Sequence, residues 1–69
     1  MDYEQIEANV KEFVSNELKL AKKYPQGALN CRAIAYGAIS FACEYCFPSY
    51  NDNLALWWND IAQCFTMVQ

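Results

Sequence analysis

The sequence predicts an all-α fold, a three-helix antiparallel bundle whose second helix is central, apolar and rich in small residues. Three observations carry this expectation. Apolar residues recur at alternating intervals of three and four, the period of an amphipathic helix. Prolines stand only at 25 and 48, and they divide the 69 residues into three segments of helical length. The two interruptions are short, which makes neighbouring helices antiparallel. With 55% apolar residues and 19% charged ones, the chain forms one folded domain rather than a disordered segment.

The first helix is expected over about residues 3–23. Asp2 caps it, with Gln5 as the reciprocal capping-box partner. Glu4 and Glu7 lie near its start and Lys19, Lys22 and Lys23 near its end, a polarity that suits the helix dipole. Its apolar stripe is Tyr3, Ile6, Val10, Phe13, Leu20 and Tyr24, with Val14 and Ala21 alongside. Tyr24-Pro25-Gln26-Gly27 ends it, because a residue before proline avoids the helical region.

The second helix is expected over about 28–47, stopped by Pro48. A seam of small residues (Ala28, Cys31, Ala35, Ala38, Ala42, Cys46) runs along one side and lets a neighbouring backbone come close. Opposite lies a narrow strip of Asn30, Ala33, Gly37, Ser40 and Glu44. Bulk stands on both flanks, with Ile34, Phe41 and Tyr45 on one and Leu29, Tyr36 and Phe47 on the other. A helix apolar on most sides is one that its surroundings bury. The third helix is expected over about 52–68, capped by Ser49, Asn51 or Asp52, with Leu54, Trp57, Trp58, Ile61, Phe65 and Val68 on its main face.

Glu17 is the odd residue. It falls at the centre of the first helix's apolar stripe, and the only arginine, Arg32, lies near its level across the turn. A structural ion pair between Glu17 and Arg32 is expected, since a buried carboxylate without a partner is too costly. The competing reading makes Glu17 an acid/base group or a ligand, but no histidine or second carboxylate accompanies it.

Four cysteines invite a metal or redox reading. Cys31 precedes Cys43 by twelve residues, about 18 Å along one helix, so the four sulfurs do not meet in one subunit. Cys43 and Cys46 have C-x-x-C spacing, but at a helix C-terminal end beside Glu44, which disfavours the thiolate. The cysteines are read as small buried apolar residues, with Cys31 and Cys64 nearest each other in register. No metal and no cofactor are expected. Without histidine, Ser/His and Cys/His machinery is excluded, and no phosphate-binding glycine motif occurs.

Five basic residues against eight acidic ones offer no footprint for nucleic acid. The longest uncharged run, Ala33 to Cys43, is half of what a membrane span needs, about 20 residues. No basic-then-apolar leader opens the chain, so a cytoplasmic location is expected.

The expected function is a non-catalytic helical protein–protein interaction module that self-associates through apolar surface of the second and third helices. Two neighbours cover only two sides of the second helix. Ile34, Phe41 and Tyr45, with Leu56 and Met67 from the back of the third helix, are therefore candidate interface residues, and Trp57 and Trp58 join them. The partner is a second copy or a larger protein. One alternative is a phage- or mobile-element-type inhibitor or adaptor, anti-CRISPR-like, that docks on a host protein; it is an analogy of size and composition. A second alternative is a small ligand- or metal-binding bundle using Glu17 and the cysteines.

Overall fold

A computed structural model describes residues 2–46 and 51–67, with the backbone alone at 46, 51 and 52. It is an all-α three-helix bundle. Helix α1 spans Tyr3–Lys23, a 3₁₀ turn Pro25–Gly27, α2 Ala28–Phe41, a π-helical turn Ala42–Cys46, and α3 Asn51–Thr66. Helix α2 packs against both others, as its sequence requires. Phe47, Pro48 and Ser49 at the expected second turn, and Val68 on the third helix, lie outside the described residues.

Local chemistry sets the boundaries. Asp2 has extended backbone angles, and its Oδ1 accepts the Gln5 N–H at 3.2 Å. Only half of the expected capping box forms. The Gln5 amide does not turn back to Asp2; its Nε2 donates forward to Asn9 Oδ1 at 3.1 Å, one turn along the same face. Tyr24, held out of the helical region ahead of Pro25, donates its N–H to Leu20 O at 2.8 Å and closes α1. Gly27 N–H then reaches Tyr24 O at 2.9 Å, and α2 starts on the next residue. The second helix was expected to run evenly to Phe47. It passes instead into a π-helical turn over Ala42–Cys46, at whose start the Ala42 N–H is shared between the carbonyls of Ala38 and Ile39. Such π turns are single-turn widenings of an α-helix. This one leaves Phe41 and Tyr45 stacked, with ring centroids 4.9 Å apart.

The core is Val14 and Ala21 of α1, Ala28, Ala35, Ile39 and Ala42 along α2 and its π turn, and Leu54, Trp58, Ala62 and Phe65 of α3. The small-residue seam of α2 therefore does face inward. It meets α1 at Val14 and Ala21, both fully buried, and not at the Phe13–Glu17–Leu20 stripe centre that the periodicity suggested. Small residues in contact set a short distance between helix axes. Large side chains are thereby forced off the contact line and onto its two sides. One side receives Leu54, Trp58 and Phe65 of α3. The Cα extents of 37 × 17 × 14 Å are those of a rod two helices thick.

Trp58 is buried in the chain's own core, which corrects its assignment to the interface, while Trp57 packs against that core and stays partly exposed. Trp58 is 6% exposed, 5.9 Å from Phe65 and 6.0 Å from Tyr36 between ring centroids. Trp57 is half-buried against the core with the Lys11 ammonium 5.6 Å from its ring. The two indoles diverge by about 100° on the wheel because α3 bridges two helices, so Trp58 meets α2 and Trp57 meets α1.

Candidate interaction surface

The α1/α2 hairpin is a layer with two faces. Contacts of Lys11 with Trp57, and of Arg32 and Tyr36 with Trp58, mark the face that α3 covers. The other face is uncovered by the described residues of α3. Between the helices it holds an open groove of about 350 Å³ lined, among the described residues, by Ile6, Asn9, Val10 and Phe13 of α1 and by Ala38, Phe41 and Ala42.

Around this groove stand large apolar side chains in the open. Phe13 is 44% exposed, Leu20 46%, Ile34 51%, Phe41 61% and Tyr45 68%. At roughly 200 Å² for a large side chain, these five expose roughly 500 Å². That is near the top of what ordinary monomers leave bare, about 300–600 Å². Half-buried Ile6, Val10, Cys31 and Ala38 extend the patch.

Charge is segregated away from it. On the wheel, Glu12, Lys19 and Lys23 project to the outer edge of α1, and Glu4 and Lys22 to the side that faces α3. Glu7 and Lys11 lie on the α3 side and pair at 3.8 Å. Glu17 alone stands among the apolar residues of the bare face.

Glu17 does not pair with Arg32. The level was right and the side was wrong. Residues 31 and 32 point about 100° apart on α2. Arg32 turns to the α3 face, where its guanidinium carbon lies 5.7 Å from the Trp58 ring. Its Nε is buried there with no hydrogen-bond partner. Cys31 turns to the other face, beside the Glu17 carboxylate. Burial first, and then that carboxylate, push the Cys31 thiol up. Burial also raises the Cys43 thiol.

The expected interface residues do not form one patch. Ile34, Phe41 and Tyr45 lie on the bare hairpin face. Leu56 and Met67 are exposed too, but about 180° round α3 from buried Trp58. The neighbours of Ile34 and Phe41 across the groove are instead Phe13 and Leu20 of α1. Their signal in the sequence was Glu17: a carboxylate at the middle of an apolar stripe marks a sector that the chain's own core does not take.

Among the described residues no group of three Cys, Asp or Glu side chains is placed to hold a metal ion. Cys31 and Cys64 are unbridged thiols, the latter exposed on α3. None of the helices, among the described residues, is long and apolar enough to cross a membrane. No protein-family model, curated protein or solved structure matches this chain.

Proposed function

We propose that this chain is a non-catalytic interaction module that self-associates through the bare face of its α1/α2 hairpin. The supporting observation is the apolar surface that this layer turns away from α3. Its charges, Glu17 apart, sit on the outer edges or towards α3, so the open face is the more apolar of the two. An apolar face of that kind calls for a second covering layer. Helix α3 supplies one cover, and a second hairpin supplies the other, giving the order α3, hairpin, hairpin, α3.

The surface is uncharged enough for two copies to meet without repulsion between rows of like charge. Its area sets the strength. Two patches of roughly 500 Å² reach only the lower bound for a specific interface, about 1,000 Å² in total. A micromolar dimer is the corresponding expectation, because area at this scale leaves little surplus over the cost of association.

Placing a charge on each exposed face tests the assignment. Phe41→Asp should abolish the dimer at tens of micromolar, because a buried carboxylate would stand without a cation. Leu56→Asp, on the back of α3, should leave it intact. Size-exclusion chromatography with light scattering reads both. Equal sensitivity of the two variants would remove the assignment to the hairpin face.

A further inference from the structure

We infer that the two copies join about a two-fold axis, the Phe41 ring of each filling the groove of the other. The inference rests on the self-association proposed above and specifies its geometry. The groove is of a size that small-molecule pockets have, but it lacks their convergent polar groups. Its one polar lining residue is Asn9. Its α2 wall is low at Ala38 and Ala42, with Phe41 as its rim, and its α1 wall is Ile6, Asn9, Val10 and Phe13. An apolar ring is the filler such walls accept.

That ring stands beside it. Phe41 rises at the groove's own edge, largely exposed, and Tyr45 stacks on it at 4.9 Å with the planes 39° apart. A knob already held by its neighbour loses little freedom on docking. Knob and hollow lie on one face of one chain. A contact that is self-complementary in this way is isologous and closes at two copies.

Two substitutions and their mixture test the geometry. Phe41→Ala removes the knob, and Ala38→Trp fills the hollow. Sedimentation velocity should show each variant associating at least about tenfold more weakly than the parent. In a 1:1 mixture, the Phe41 of the Ala38→Trp chain still finds the open groove of the Phe41→Ala chain. The mixed pair should therefore form more tightly than either variant with itself. Circular dichroism checks that both variants keep their helices. The parent protein gives a second reading: mixing isotope-labelled and unlabelled chains should show nuclear Overhauser contacts between Phe41 of one copy and Phe13 of the other. A dimer that tolerates both substitutions, or a mixture no tighter than its parts, overturns the two-fold insertion and leaves self-association to another surface. A parent chain that never associates overturns both.

Discussion

Phe65→Ala should unfold most of the population in dilute solution. Phe65 is the largest of the fully buried side chains and the last anchor of α3, packed on Trp58 at 5.9 Å. Truncating a buried phenylalanine costs about 3–5 kcal/mol, partly as lost transfer energy and partly as the cavity left behind. A chain of 69 residues has only about 3–10 kcal/mol in total. The cavity cannot close cheaply, because the rigid Trp58 indole forms one of its walls. Urea denaturation followed by circular dichroism measures the loss. A midpoint within a few tenths molar of the parent would show that α3 is not held by this contact.

Glu17→Leu should act in the opposite direction and tighten self-association by about 2 kcal/mol, roughly thirtyfold. Covering the bare face takes the Glu17 carboxylate out of water, and the two-fold places two such groups in one joint. Its neighbour there is the Cys31 thiol, at best a weak donor that offsets little of the cost. Leucine removes the penalty and continues the Phe13–Leu20 stripe. Glu12→Leu is the matched control, because Glu12 projects to the outer edge of α1 and should leave the dimer unchanged. Titration by isothermal dilution calorimetry separates the two. Equal effects would mean that general greasiness, and not the location of Glu17, governs association.

The gross architecture was legible because it follows from periodicity and punctuation. Asp2, the Tyr24-Pro25 step and the three-four spacing delimit the helices, and the alanine seam of α2 names its inward side. What was not legible is rotation. In α1, Val14 and Phe13 sit in adjacent sectors, and both belong to an apolar arc wider than a single contact line. Hydropathy favours the sector with the larger residues. Packing favours the sector with the smaller ones, Val14 and Ala21, because it lets two backbones approach. That one choice carried the remaining misreadings with it. It set Glu17 beside Cys31 and away from Arg32. It turned Phe13 and Leu20 outward. It also opened on one side of the contact line the space in which α3 buries Trp58 and packs Trp57 against the core. The expected apolar surplus of α2 is there in Ile34, Phe41 and Tyr45, but its companions come from α1, since α3 occupies the opposite face.

Sedimentation equilibrium of the unmodified chain, over concentrations from about one to a few hundred micromolar, bears most directly on whether the hairpin's open side is meant for another copy. The average mass should climb from 8.0 kDa towards twice that value and stop there, with no larger species. A mass fixed at 8.0 kDa throughout would contradict self-association and assign that side to a different protein.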